Sequence, residues 1–157
     1  MTTERHNDFA FQTGTWRVAH RKLRARLAGC QDWFEFGGTC KAWEILGGIG
    51  NIEDNWLDDP SGPYAAAAVR KFDPQSGRWS IWWIDPREAD LDPPVHGQFD
   101  NGVGTFLGKA VFEGRPIDVR FIWSGISGDS AHWEQAFSED GGASWETNWT
   151  MKFDRVA

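Results

Sequence analysis

What most limits the fold of this chain is a run of short alternating segments, separated by turn residues, with no helical 3.6 period held over three turns. Strands are expected near 15–26, 33–46, 49–57, 64–72, 78–85, 95–100, 103–113, 116–124, 131–138 and 145–154. Short connections at this spacing indicate an antiparallel all-β meander. The turns have their own chemistry. In Asp73-Pro74-Gln75-Ser76-Gly77, proline presets φ and glycine supplies a positive φ. Asn101-Gly102 is the pair that a type I′ hairpin favours. At Gly114-Arg115-Pro116 the proline opens the next strand where no ladder N–H is needed.

At the head of the first strand stands Gly14-Thr15-Trp16. A glycine that turns the chain inward, followed by an indole to plug a floor, is how a small closed barrel can begin. Strand faces alternate, so one fixed residue assigns the rest. With Trp16 inward, Val18, His20 and Lys22 follow it. In the last strand Trp145, Thr147, Trp149, Met151, Phe153 and Arg155 share the inner face. Glu146, Asn148, Thr150, Lys152 and Asp154 then face solvent. Arg155 is thereby expected to stack on Trp16. Ile117, Val119, Phe121 and Trp123 turn inward, as do Trp133, Gln135 and Phe137, leaving His132 and Glu134 outside. Phe34, Phe36, Cys40 and Ala42 make the better inner set of the second strand, and Phe9 and Phe11 of the lead-in 1–13 are expected plugs.

Two stretches interrupt this apolar interior. Ala65 to Ala68 places small residues mid-sheet, where they leave space. The strand from Ile49 to Trp56 has an acid on each face, with Asn51, Glu53 and Asn55 on one and Ile52, Asp54 and Trp56 on the other. Either way a carboxylate points inward, and it needs hydrogen-bond partners or a raised pKa. It is part of a satisfied structural network, an acid near the barrel rim in water, or a ligand-anchoring or catalytic acid. Strand 78–85 is apolar on both faces, so parity does not decide between Trp83 and Trp82.

The 157 residues suffice for one domain, 1–157, with a core or a cavity. A net charge of −7 argues against a nucleic-acid or anionic-membrane partner. Eleven Trp and eleven Phe against one Tyr mean either a heavily aromatic core or an aromatic-lined cavity. The cluster Arg17, Arg21, Lys22, Arg24 and Arg26 reads as a solvated strand edge. The polar start and the absence of an apolar run near ~18 residues lead to the expectation of a cytoplasmic protein, monomeric or homodimeric, with Cys30 and Cys40 as plain thiols.

The segment Ser138 to Trp145 resembles the Asp-box hairpin of sialidase-like propellers. A single box without a repeat cannot build propeller blades, so Asp140 and its glycines are expected to fix a hairpin. A wider set of motifs covers nearly the whole chain: Gly14-Thr15-Trp16-Arg17, Leu46-Gly47-Gly48-x-Gly50-Asn51, Phe72-Asp73-Pro74 through Trp79, Trp133-Glu134-Gln135-Ala136-Phe137, and a basic residue on the last strand. Gly14-x-Trp16 with the basic residue on the last strand is similar to the calycin signature of lipocalins and fatty-acid-binding proteins, and the wider set is similar to a bacterial calycin-like domain family of unknown function. The resemblance implies an antiparallel up-and-down β-barrel of about ten strands with a lumen for small molecules. Haem-binding calycins called nitrobindins use a late histidine on iron. The last histidine here is His132, which reads as outward, so no cofactor is expected.

The leading expectation is therefore a barrel binding a small hydrophobic or aromatic molecule. Trp82, Trp83, Trp133 and Trp149 would form the walls, Glu53 and His20 the polar anchors, with Asn51, Gln135 and Thr147 beside them. Gly14, Trp16 and Arg155 are structural. The alternative is a cofactor-independent isomerase, cyclase or hydratase pairing Glu53 or Asp54 as acid with His20 as base. A third reading is an interaction module using Trp33 and Trp43. No nucleophile elbow, phosphate loop or metal-ligand spacing occurs.

Overall fold

The computed structural model describes residues 6–157 and contains ten strands. They are β1 (Gly14–Leu23), β2 (Trp33–Ile45), β3 (Gly50–Leu57), β4 (Tyr64–Asp73), β5 (Arg78–Ile84), β6 (Val95–Asp100), β7 (Val103–Phe112), β8 (Arg115–Ser124), β9 (Ser130–Ser138) and β10 (Glu146–Arg155). Each pairs antiparallel with the next, and β10 returns to β1, closing the barrel. Closure leaves no free edge. The basic run of β1 is therefore not the solvated edge expected from the sequence. Arg21 and Arg24 lie outside on Glu35 and Asp32, whereas Lys22 is buried and, with Arg26, lines the lumen.

One end is a closed floor. A single turn of 3₁₀ helix, Ala10–Gln12, lies beneath the strands, and Trp16 Nε1 donates to the Gln12 carbonyl at 2.8 Å. Phe9 is fully buried against Trp79, Phe99, Phe106 and Trp123, and Phe11 is partly buried beside Trp123. Trp16 pairs in register with Arg155, whose guanidinium carbon lies 4.2 Å from the indole centroid. That guanidinium also donates to the carbonyls of Gly128, Thr13 and Phe11, tying both chain ends together. Gly14 has φ +131, and a Cβ there would collide with Arg155 Nη1. The glycine before the tryptophan is thus required twice, by backbone conformation and by space.

The other end opens because one ladder is short. β5 and β6 share only Trp79↔Gly97, Ser80↔His96 and Ile81↔Val95, so Trp82 to Ile84 run on beyond β6 into the loop 85–94. Gly97 lets β6 lie hard against β7, since a Cβ would strike the Thr105 carbonyl.

Alternation predicted most inner residues, with one systematic correction. β10 carries a bulge between Thr147 and Trp149. The extra residue reverses parity towards the start of the strand. Asn148, expected in solvent, is fully buried and bonded to Gln135. Thr147, expected inside, bonds the outward carboxylate of Glu134 at 3.4 Å. Trp145 is outside as well, 4.5 Å from the guanidinium carbon of Arg120. The Asp-box segment is a self-bonded hairpin: Asp140 accepts from Ser138 Oγ, Ser144 N and Ser144 Oγ. These bonds hold its carboxyl down at about 2. Both cysteines are free, and burial pushes the Cys40 thiol far up.

Candidate functional site

β3 presents Asn51, Glu53 and Asn55 to the interior and leaves Asp54 and Trp56 exposed. This settles which carboxylate is buried. Glu53 accepts from Arg70 Nη2 at 2.7 Å, from Gln12 Nε2 at 2.9 Å and from Asn55 Nδ2 at 3.3 Å. Arg70 also donates to Asn51 Oδ1 at 3.0 Å, and its guanidinium lies over Phe9 at 4.6 Å. Arg70 and Gln12 are interior residues that sequence reasoning missed. The signal for Arg70 was present in β4, where inward Ala66 and Ala68 put it on the same face. Arg70 and Glu53 border a chamber of about 10 Å³, under Ala68 and Trp83, with room for about one water. Glu53 and Asn51 thus belong to a buried ion-pair network at the floor.

Above that chamber the lumen widens to about 350 Å³ and opens at the mouth. This is within the usual range for small-molecule sites. Trp83, Trp133 and Trp149 wall it with Phe121 and Phe137, and Gln135 faces it. Trp149 packs edge-on against both Trp83 and Trp133, at 5.4 and 5.1 Å. Ala110 and Val119 leave room on the opposite wall, across β7 and β8. Trp82 does not share in this. It falls on the alternate face to Ile81 and Trp83, which line the lumen, and its place as a wall is corrected to the outer side. Thr147, turned out by the bulge, does not line the lumen either.

His20 is corrected too. It was the first-strand residue expected to look into a cavity, yet it is 2% exposed and sealed behind Trp149. Its ring stacks on Phe36 at 4.7 Å, and its Nδ1 accepts from Trp149 Nε1 at 3.1 Å. Burial, with help from the Lys22 charge and against that of Asp59, lowers its pKa to about 3. The imidazole is therefore neutral and holds the Trp149 indole in place. Glu53 has its own partners at the floor and Asp54 is in solvent, so no hydrogen bond joins His20 to either acid. The proposed acid–base pairing is not assembled. Trp33 lies under the Arg21 guanidinium on the outer face, and Trp43 is exposed.

The polar residues that do converge on the lumen sit at its mouth. Lys22 Nζ donates to Tyr64 Oη at 2.8 Å, lies 3.7 Å from Asp59 Oδ2, and stands 4.2 Å from the Trp149 ring centroid. Arg26 projects towards Phe137, while Arg87 is held by Asp85 and lies 3.5 Å over the Tyr64 ring. Burial, then the Arg26 charge, lowers Lys22 to about 8, although Asp59 opposes the shift. Among the described residues no three His, Cys, Asp or Glu side chains gather as metal ligands.

A closed ten-strand antiparallel barrel, plugged at one end and open into an aromatic lumen at the other, has a calycin-like fold. No family model matches the chain, and no curated protein does. Among solved structures it is similar to an S-type phycobiliprotein lyase from Guillardia theta, with a TM-score of 0.64 and 12% identity. The match covers 100% of this chain and 94% of that one. The likeness is one of fold.

Proposed function

We propose that the protein binds an elongated, largely apolar or aromatic small molecule in the lumen, with the polar end of the molecule at the mouth. The observation that carries this reading is the 350 Å³ cavity, walled by three tryptophans and bordered by Lys22, Arg26 and Arg87 together with Asp85, Glu88 and Asp92. A filled barrel would have no such space, and a solvent channel would not be walled with indoles. Apolar walls with a few polar groups at one end are the make-up of a ligand pocket. The structural likeness to a phycobiliprotein lyase makes a linear tetrapyrrole one reasonable member of a ligand panel.

The test is titration of intrinsic tryptophan fluorescence with such a panel, together with native mass spectrometry of freshly purified protein. Ligands should quench Trp83, Trp133 and Trp149, and an Ala110→Trp change that fills the lumen should abolish the response. Quenching that survives Ala110→Trp would place binding elsewhere and overturn the reading.

A further inference from the structure

Lys22 is the only one of five lysines inside the protein. Lys41, Lys71, Lys109 and Lys152 are all exposed. Its amine emerges among the faces of Trp149, Tyr64 and Phe36, at 4.2, 5.3 and 5.5 Å from their centroids. It lines the same cavity as the tryptophan walls. A hydroxyl, Tyr64 Oη, lies 2.8 Å away. A lysine desolvated beside other cations, with a proton-transfer group in reach, is the arrangement that makes an amine nucleophilic. The charged and titratable groups that face it are Asp59 and Asp85, which favour the ammonium, and Arg26 and Arg87, which oppose it. His20, next inward on the same strand face, is neutral.

We propose that Lys22 is a carbonyl-capturing residue, which forms a reversible imine with an aldehyde or ketone on an apolar molecule seated in the lumen. This deepens the binding reading and rests on the same cavity. The neutral amine adds its lone pair to the carbonyl carbon, and the carbonyl oxygen takes a proton from Tyr64 Oη. The phenol is restored by the proton that nitrogen sheds, giving a carbinolamine. Loss of the hydroxyl with one further proton, as water, leaves the C=N bond. Water is the sole by-product, and no oxidant or reductant is needed. Burial keeps the Tyr64 phenol protonated and lowers the pKa of Lys22. With Lys22 at about 8, roughly a tenth of its amine is neutral at pH 7, against roughly one part in three thousand for an ordinary lysine.

The experiment treats the full chain with cinnamaldehyde and cyanoborohydride at pH 7, then maps adducts by peptide mass spectrometry. The expected lysine adduct, aldehyde plus two hydrogens less one water, is at Lys22, formed at least tenfold faster than at any other lysine. Tyr64→Phe should slow it severalfold, and Lys22→Arg should remove it. The site map on the unaltered protein decides the matter even where a variant does not fold. Equal labelling of Lys22 and the four surface lysines overturns the proposal. Cinnamyl alcohol and cinnamic acid separate this result from the binding reading. If either quenches lumen tryptophans while the aldehyde leaves Lys22 unmodified, the imine is overturned and the binding barrel stands. If neither quenches but Lys22 is labelled selectively, the imine stands and the binding reading loses its support.

Discussion

The floor and the mouth of this barrel are built from the same alternation, yet they treat buried charge in opposite ways. At the floor, Glu53 and Arg70 face each other at 2.7 Å, and Gln12, Asn51 and Asn55 complete the set. At the mouth, Lys22 has an acid at 3.7 Å and a phenol at 2.8 Å, and still borders open space. Both regions desolvate a cation. The floor holds it by its Nη1 and Nη2 on Asn51 and Glu53, leaving only Nε without a partner, and the mouth leaves it facing a cavity. A charge matched only by its own fold stabilises that fold, whereas one left at a cavity wall is available to a ligand.

The largest effect expected from that contrast is at the floor. Arg70→Met should cost about 3–5 kcal/mol in urea unfolding, because it strands the Glu53 carboxylate in the interior. Adding Glu53→Gln should recover a substantial part, since the uncompensated charge is then gone. A single variant as stable as the parent would mean that the floor is no tighter than the mouth, and the contrast would fail.

A smaller effect, of opposite interest, comes from His20, which lies between the two regions. Its folded pKa is lowered to about 3 from 6.5. Below pH 6.5 the unfolded chain takes up a proton that the native imidazole refuses, so stability falls as pH drops from 6.5 towards 3. One proton corresponds to about 1.4 kcal/mol per pH unit. His20→Phe should flatten that slope and release the Trp149 indole, visible as a changed fluorescence maximum. A slope that persists unchanged would show the imidazole to be titrating normally.

These regions differed in how far the sequence disclosed them. The closed barrel was legible because turn chemistry and period-2 alternation are local, and because Gly14, Trp16 and Arg155 mark the same end from opposite termini. Alternation also brought Trp133, Gln135 and Trp149 to the lumen. It could not choose a face for β5, where both sides are apolar, so Trp82 and Trp83 were both taken as walls. Nor could it say that His20 would be covered. That depends on Phe36 and Trp149 arriving from two other strands, a matter of side-chain size at a three-strand contact. Arg70 was overlooked because a charged residue two places after an alanine run reads as the end of the buried stretch. Its partner, Glu53, stood in plain view on β3 with its inward face undecided.

The bulge in β10 gives the finest test, since it alone reverses the reading of two neighbouring residues. Parity without a bulge puts Thr147 in the lumen and Asn148 in water. The structure buries Asn148 with its Oδ1 accepting from Gln135 Nε2 at 2.9 Å, and turns Thr147 towards Glu134. Replacing Asn148 by Ala leaves the Gln135 amide buried without that acceptor, at an expected cost of about 1–3 kcal/mol. Gln135 lines the cavity, so the affinity of any lumen ligand should change as well. Thr147→Ala should stay within about 0.5 kcal/mol of the parent and leave ligand quenching untouched, as a surface substitution does. The two substitutions are adjacent in sequence, so their unequal outcomes would depend on the bulge itself. Equal outcomes, or the reverse order, would mean that β10 runs to its first residue without one.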